Sequence, residues 1–233
     1  DVCTGTAAPS SARRSSHGTF PIVAWSRKGQ RTWGAEAIML SAGSNVDWLR
    51  DDLGIIASAA DSHEVAQQCE HTDGVVYVPA LMGLGTPHWD YGARGTLLGL
   101  TRGSGRPQLV RAVLEGIAHR GADLLEAAEA DYGAQIGAIR VDGGMSQNPS
   151  FIQALANSTG RSIEVSPHTE ATTVGAGYLA GLAVGVWNSF DDIAAVWRPK
   201  DVVEPTAQLD RQQWGRAVER ARAWIPDLSA LDF

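Results

Sequence analysis

The sequence predicts an α/β fold, because segments with the two-residue period of strands alternate with segments of helical spacing. The clearest example is residues 138–160, AIRVDGGMSQNPSFIQALANSTG. Ile139 and Val141 alternate with polar neighbours in a short strand, two glycines follow, and apolar residues then recur at helical spacing. Further helical patterns and strand-like apolar runs occur at 74–80, 107–131, 162–167 and 172–185.

The composition is that of a globular chain long enough for one large domain or two small ones. Of 233 residues, 44% are hydrophobic and 19% are charged, and the formal net charge is −7. Since no strongly basic stretch stands out, we expect no nucleic-acid partner. The chain has no run of 18 or more apolar residues and no secretory signal, so we expect no membrane span.

The cysteines bear on the cellular compartment, and the first residues bear on whether the chain is part of a longer protein. Cys3 and Cys69 lie far apart and make no disulfide framework, which is typical of the reducing cytoplasm. The sequence opens in DVCTGTAAP without an initiator Met. We therefore expect a cytoplasmic protein, of which this chain is one piece.

The first two strands are predicted at 1–8 and 20–25, where apolar residues cluster. Between them, PSSARRSSHG is polar and rich in turn-forming residues. This composition favours a mobile loop, and the alternative is a basic surface loop that contacts phosphate.

A helix is predicted from 44 to 53, after the turn at Ala42-Gly43. Its spacing turns Val46, Leu49 and Leu53 inward. Asp47 falls on its first turn, where a carboxylate suits the helix dipole.

A second helix, at about 60–70, brings His63, Cys69 and His71 close together in sequence. Imidazole and thiolate are zinc ligands, so a metal site is one alternative. No fourth ligand follows at a conventional spacing, and we therefore predict no metal site in this chain.

The middle of the chain predicts a buried strand at 74–80, a loop at 82–90 and a further strand at 93–101. Pro87, Trp89 and Asp90 make the loop MGLGTPHWD a fixed, packed turn rather than a mobile tip.

The longest helix is predicted at 107–131, with apolar residues at spacings of three, four and seven. Two of its acids, Glu115 and Asp123, are expected to be surface or ion-pairing residues rather than catalytic ones.

Two helices are predicted in the last third of the chain. The first, at 172–185, is rich in Gly and Ala, which predicts close packing against a sheet or another helix. The second, at 207–224, carries an apolar stripe of Trp214, Val218, Ala221 and Trp224.

The unit at 138–160 is the strongest candidate for a ligand site. Gly143 and Gly144 allow a sharp turn or a close approach of backbone to a ligand. Asn148 or Ser146 can cap the following helix, and Pro149 suits its first turn. Such a unit places backbone N–H groups and the positive helix end where an anion can bind. The alternative is an ordinary tight turn, and the segment is neither a Walker A loop nor a GxGxxG fingerprint.

Five segments, in order, resemble one protein family. VDGGMSQNPSFIQALANSTG and TEATTVGAGYLAGLAVGVW resemble the C-terminal block of glycerol kinases, which are members of the FGGY carbohydrate kinases. GVVYVPALMGLGTPHWDYGARGTLLGLTRG resembles the preceding block, and its G-L-G-x-P-x-W-D form is typical of glycerol kinases rather than xylulose or gluconate kinases. The family's Y-G-T-G-C turn is resembled by the initial CTGT. The helix that follows that turn in the family is resembled by WGAEAIMLSAGSNVDWLRDDLGI.

The resemblance implies an actin/hexokinase-like fold of two ribonuclease-H-like domains around a cleft. Residues 1–233 would be the second, C-terminal domain, which carries most of the ATP site, and the N-terminal substrate domain would be absent from this chain. The family's catalytic aspartate lies in an upstream G-D-Q segment, so the resemblance assigns no catalytic residue here. ATP with Mg²⁺ is the implied cofactor pair, and glycerol or a related polyol would bind through the absent domain. The resemblance leaves the oligomeric state open, and a homo-oligomer is one alternative.

The site residues that the resemblance implies are those matching the family's nucleotide contacts. Thr4 and Gly5 match the turn that faces the terminal phosphates, and Gly43 matches a glycine at the nucleotide. Gly144 and Asn148 match the pair on the ribose and adenine side, and Gly143 belongs to the same turn.

This chain departs from the family pattern at two places. Asp47 occupies a further nucleotide-contact position, at which glycerol kinases commonly have Gln. Val2-Cys3 and Thr6-Ala7 replace the residues that flank the threonine and glycine. These changes bear on the phosphate geometry.

The implied reaction is phosphorylation of glycerol by MgATP to glycerol 3-phosphate in the full-length form, with the chain alone inactive. One alternative is a kinase of another sugar or polyol, such as xylulose. The other is a non-catalytic nucleotide-binding or interaction module.

Overall fold

The computed structural model describes residues 2–9, 13–133 and 135–231, and shows a mixed arrangement of helices and sheets. The strands in chain order are β1 (Val2–Thr6), β2 (Phe20–Arg27), β3 (Gln30–Ala37), β4 (Val76–Val78), β5 (Thr96–Leu98), β6 (Ala138–Val141), β7 (Ser162–Val165) and β8 (Asp201–Val203). The α-helices are α1 (Ser44–Asp47), α2 (Asp61–Ala66), α3 (Arg106–Tyr132), α4 (Pro149–Thr159), α5 (Ala171–Val184), α6 (Phe190–Val196), α7 (Arg211–Ala221) and α8 (Pro226–Ser229).

The strands form three small sheets within the described residues. In the first, β3 lies between β1 and β2 and is antiparallel to both. In the second, β4 pairs with β5. In the third, β6 and β7 are parallel and are joined by α4, while β8 is antiparallel to β7. The β6–α4–β7 crossover confirms the predicted strand, turn and helix at 138–160.

Helix α3 is the centre of the core, because three apolar clusters converge on it or on the strands that it covers. One cluster joins α3 to α1, α2 and β4, and a second joins α3 to α4, β6 and β7. The third lies between β4 and the buried face of α7. The predicted long helix is confirmed within one residue at each end.

Glu115 and Asp123 of α3 form ion pairs, as expected. Glu115 pairs with Arg111 at 2.9 Å, and Asp123 pairs with Arg120 at 2.6 Å. Burial raises the pKa of Glu115, despite the hydrogen bond from Arg111.

The helix predicted at 44–53 changes geometry halfway. Residues Trp48–Asp52 form a π-helical turn after α1. Val46 and Leu49 are buried as predicted, but Leu53 is 45% exposed, so its inward placement is wrong. A π turn adds a residue to the repeat and rotates later side chains away from the apolar face.

The apolar stripe of the helix predicted at 207–224 ends earlier than expected. Trp214, Val218 and Ala221 are buried, whereas Trp224 is 72% exposed. The helix ends at Ala221, and Ala223 adopts a positive φ of 51°, which turns the chain away.

Helix α5 lies where the Gly/Ala-rich helix was predicted, but Leu182 is the buried residue on it. A Cβ built on Gly175 or Gly177 would meet nothing within 4 Å, whereas one on Gly181 would meet Trp187 at 2.7 Å. The expectation of close packing is therefore wrong for Gly175 and Gly177, because no described element covers that face.

The loop between β1 and β2 is held in place over its described part. Ser15 and Thr19 donate hydrogen bonds to Asp131 at the end of α3, and His17 contacts the same carboxylate at 2.8 Å. This anchoring contradicts the mobile loop expected there, while residues 10–12 of that loop lie outside the described residues. Although burial opposes its ionisation, these hydrogen bonds lower the pKa of Asp131.

None of the helices within 2–9, 13–133 and 135–231 combines the length and the apolar content needed to cross a bilayer.

Candidate functional site

The turn after β6 is built around one glycine in a conformation that other residues rarely adopt. Gly143 has φ +81° and ψ 178°, and its N–H donates to the Thr169 carbonyl at 3.0 Å. A short 3₁₀ turn, Gly144–Gln147, follows. The turn lies at the carboxyl end of a parallel strand, which is where open α/β sheets bind their ligands.

Asn148 caps the helix that follows the turn, as the sequence predicts. Its Oδ1 accepts a hydrogen bond from the Phe151 N–H at 3.1 Å, and Pro149 occupies the first helical position. The positive end of the 11-residue helix α4 therefore points toward the glycine turn. Since Ser146 instead donates to the Gly143 carbonyl at 2.7 Å, the cap is Asn148 rather than Ser146.

A second glycine turn, at Gly43, is fixed by an asparagine that the sequence did not single out. Asn45 is fully buried, and its amide donates to the Ser41 carbonyl at 3.0 Å and the Ala42 carbonyl at 2.9 Å. The Tyr77 hydroxyl donates to Asn45 Oδ1 at 2.8 Å. Burial raises the pKa of Tyr77 further above neutrality, and its protonated hydroxyl is the donor in this bond.

The two glycine turns meet in space. A Cβ built on Gly43 would lie 3.8 Å from Met145 Cγ, which follows directly on Gly144. A Cβ built on Gly143 or Gly144 would meet nothing within 4 Å. The backbone at this turn is therefore bordered by open space that a ligand can enter.

Next to the turns lies a cavity of about 630 Å³. Its rim includes Gly5 of β1, Ala42 beside Gly43, and Asp142 and Met145 on either side of the glycine pair. Its lining combines apolar side chains of α3, α4 and β6 with the charged residues Arg140, Asp142 and Glu164. Three separate segments that the resemblance connects with one nucleotide thus contribute residues to this cavity, although Gly43, Gly143, Gly144 and Asn148 are not among those that line it.

Thr4 and Gly5 lie within β1 and pair through their backbones with Ala35 and Gly34 of β3. They therefore occupy the strand predicted at 1–8 and not a turn of their own. Gly5 reaches the shared cavity from the middle of that strand.

Asp47 lies one turn beyond Gly43, and its side chain is exposed. Its backbone N–H donates to the Gly43 carbonyl at 3.2 Å, and its carboxylate pairs with Arg50 at 3.1 Å. A cation stands nearer the other turn, where Lys200 Nζ donates to Gln147 Oε1 at 3.1 Å. The site therefore has charges of both signs on its exposed rim.

The histidines and cysteine of the second helix region have partners other than one another. His63 Nδ1 lies 2.8 Å from Ser150 Oγ, and His71 Nδ1 lies 2.9 Å from Asp73. The Cys69 thiol donates to the Ala66 carbonyl at 3.5 Å. In the part of the chain that the structure describes, no group of three or more His, Cys, Asp or Glu residues could hold a metal ion.

Comparison with known proteins gives consistent relatives. The chain is 42% identical over 218 residues to the glycerol kinase of Petrotoga mobilis, which covers 91% of this chain and 44% of that protein. It is 42% identical over 213 residues to the glycerol kinase of Deinococcus radiodurans, which covers 89% of this chain and 42% of that protein. The chain thus spans less than half the length of these curated relatives.

Solved structures give the same result. A Plasmodium falciparum glycerol kinase crystallised with ADP superposes with a TM-score of 0.79 at 32% identity, over 89% of this chain and 42% of that one. A xylulose kinase from Rhodospirillum rubrum has a TM-score of 0.71 at 22% identity, over 97% of this chain and 44% of that one, and shows the fold alone.

Residues 2–184 match the model of the "FGGY family of carbohydrate kinases, C-terminal domain". The predicted actin/hexokinase-like ATPase fold and the predicted resemblance are confirmed by this match and by the structural neighbours. The chain belongs to the FGGY family of carbohydrate kinases, whose C-terminal domain it contains.

Proposed function

We propose that this chain is the nucleotide-binding part of a glycerol kinase, which transfers the γ-phosphoryl group of ATP to glycerol. The observation that carries the proposal is the 41–43% identity to curated glycerol kinases over about 90% of the chain. Identity to the solved xylulose and gluconate kinases is only 22–24% for the best covered of them. A sugar or polyol other than glycerol is therefore the second candidate.

The nucleotide is proposed to lie across the two glycine turns. Thr4 and Gly5 face its terminal phosphates, Gly43 and Gly144 let backbone approach it closely, and Asn148 lies on its base side. Two features support this placement: the open space beside Gly143 and Gly144, and the helix N-terminus that follows them. Asp47, in the position of the family's Gln, is proposed to border the nucleotide from the exposed rim.

A magnesium ion bound to the nucleotide phosphates would neutralise charge that develops during transfer. The residues described here offer no cluster of carboxylates and imidazoles that would hold such an ion by themselves. No metal ligand is therefore assigned among the described residues.

The reaction also needs groups that are proposed to come from a second, N-terminal domain of a longer protein. The glycerol hydroxyl loses its proton as its oxygen attacks the γ-phosphorus, and an aspartate base accepts that proton while ADP departs. The role left to this chain is to hold the nucleotide, to orient its phosphates and to exclude water when the domains close. A cytoplasmic location is proposed with this activity.

Two measurements test the proposal. The 233-residue chain should bind MgADP and should release no ADP from MgATP on addition of glycerol. The protein encoded by the full reading frame should release ADP with glycerol in preference to xylulose or gluconate. Turnover with xylulose or gluconate alone would favour the second candidate.

A chain that binds MgADP, from a full-length protein with no kinase activity on any polyol, would instead be a non-catalytic nucleotide-binding module. Failure of the chain to bind MgADP would contradict the proposed site.

A further inference from the structure

The side chain of Asn148 is held at both ends of its amide. Its Oδ1 accepts from the Phe151 N–H at 3.1 Å, and its Nδ2 donates to Ser62 Oγ at 2.8 Å. A primary amide has two N–H donors and two lone pairs on its oxygen. One N–H and one lone pair therefore remain for a ligand on the partly exposed side.

The bond to Ser62 has a fixed direction. The Ser62 hydroxyl donates its single proton to the Ala59 carbonyl, with 2.5 Å between the oxygens, and Ser62 is fully buried. Its oxygen can then only accept from Asn148. If the amide flipped, Oδ1 would face an oxygen with no proton to give, so the flipped orientation is disfavoured.

We propose that Ser62 is a positioning residue that locks the amide of Asn148 and thereby makes the site prefer adenine to guanine. This inference rests on the proposed nucleotide site. Adenine presents an acceptor, N7, beside a donor, the N6 amine, and an asparagine amide offers the complementary pair. Guanine presents two acceptors, N7 and O6, whereas the amide, with one N–H bound to Ser62, has a single N–H left to donate.

The same two helices are joined by a second contact that does not involve Asn148. His63 Nδ1 of α2 lies 2.8 Å from Ser150 Oγ of α4. Removing the Ser62 hydroxyl therefore leaves this α2–α4 contact in place, frees one N–H of the amide and leaves the amide held only by the Phe151 N–H. This separation allows a positioning role to be told apart from a role in holding the helices together.

The test compares MgADP and MgGDP binding by calorimetry for the wild-type chain and Ser62→Ala. Loss of one orienting hydrogen bond is expected to weaken MgADP binding about fivefold and to leave MgGDP binding within about twofold. The preference for ADP over GDP should fall accordingly. Ser58→Ala is the matched control, because Ser58 caps the start of α2 through Asp61 and has no bond to Asn148.

A double-mutant cycle gives the second readout. Asn148→Ser keeps a helix-capping residue but removes the amide. In that background, Ser62→Ala should change MgADP affinity by less than about twofold, because Ser62 acts through Asn148. All variants are compared below their own melting temperatures.

Two results would overturn the inference: an unchanged ADP-to-GDP preference in Ser62→Ala, or an equal loss of affinity with and without the Asn148 amide. Either would leave the nucleotide site itself intact. Absence of MgADP binding by the wild-type chain would remove the proposed site, and the inference with it.

Discussion

Two regions of the molecule are built in opposite ways. One is the contact between α3 and α7 around Asp123, and the other is the glycine turn at Gly143 and Gly144. Around Asp123, side chains with full charges are buried against one another: Arg120, 1% exposed, and Arg211 both donate to its carboxylate, as does the Trp214 indole. At Gly144, by contrast, a Cβ would meet no atom within 4 Å among the described residues beyond its chain neighbours.

This difference distinguishes the residues that stabilise the fold from those that border the candidate binding site. Asp90 shows the supporting mode again, because its carboxylate accepts from the N–H groups of Gly92, Ala93 and Ala223 and from the Ser229 hydroxyl. These bonds confirm that the MGLGTPHWD loop is a packed turn. Charges and side chains hold the scaffold, while the candidate site exposes backbone and leaves room.

The largest effect is expected from Asp123→Ala, because it leaves the guanidinium of Arg120 buried without its counter-ion. We expect a loss of about 3–5 kcal/mol in the free energy of unfolding, measured by urea titration. The control is Glu126→Ala, which removes an exposed partner of Arg211 at 3.0 Å and should cost less than about 1 kcal/mol. Equal losses in the two variants would show that the buried network is not what supports this region.

The pH dependence of stability should reveal the same buried region. Burial lowers the pKa of His119, stacked on Trp214, to about 4, below the unfolded value near 6.5. Since the unfolded state binds the proton first, stability is complete above pH 6.5 and is lost as the pH falls toward 4. The loss is about 3 kcal/mol at most for this residue.

Urea unfolding of wild type and His119→Phe at several pH values between 7.5 and 4 measures this loss. Phenylalanine keeps the ring on Trp214 but does not titrate, so its curve should be flatter. Parallel curves would assign the acid sensitivity to other groups, such as His88, whose pKa burial also lowers to about 4.

A structural glycine should respond differently from a site glycine. A Cβ on Gly116 of α3 would lie 2.2 Å from the Tyr77 carbonyl oxygen of β4. Gly116→Ala should therefore destabilise the fold by about 1–3 kcal/mol in thermal unfolding. Gly215→Ala, also within a helix but with nothing within 4 Å, should stabilise by up to about 1 kcal/mol. A neutral Gly116→Ala would mean that α3 and β4 can separate without cost.

Local periodicity was sufficient to predict α3, α4, β6 and β7, because each repeats one pattern over its whole length. It failed at Leu53 and Trp224, where a π turn and a residue with positive φ break the repeat. The glycine and proline that mark these helix ends, Gly54 and Pro226, come only after Leu53 and Trp224, so the predicted helical pattern extends too far.

In the candidate site, too, local features are predictable from the sequence and long-range contacts are not. The glycine turn and the Asn148 cap are local features, and the sequence predicts them. The bonds that fix them join residues far apart: Tyr77 with Asn45 across 32 positions, and Asn148 with Ser62 across 86. Such pairs depend on how helices pack, which a single sequence does not reveal.

The most direct test of the central claim is a calorimetric MgADP titration of Gly144→Ala beside wild type, with Gly215→Ala as the control. Because no atom of the described residues other than Gly144 and its chain neighbours lies within 4 Å of the new methyl group, the melting temperature should stay unchanged. A methyl group placed against a bound nucleotide should weaken MgADP binding by about tenfold or more. Equal MgADP affinity in Gly144→Ala and wild type would contradict a nucleotide lying on this backbone.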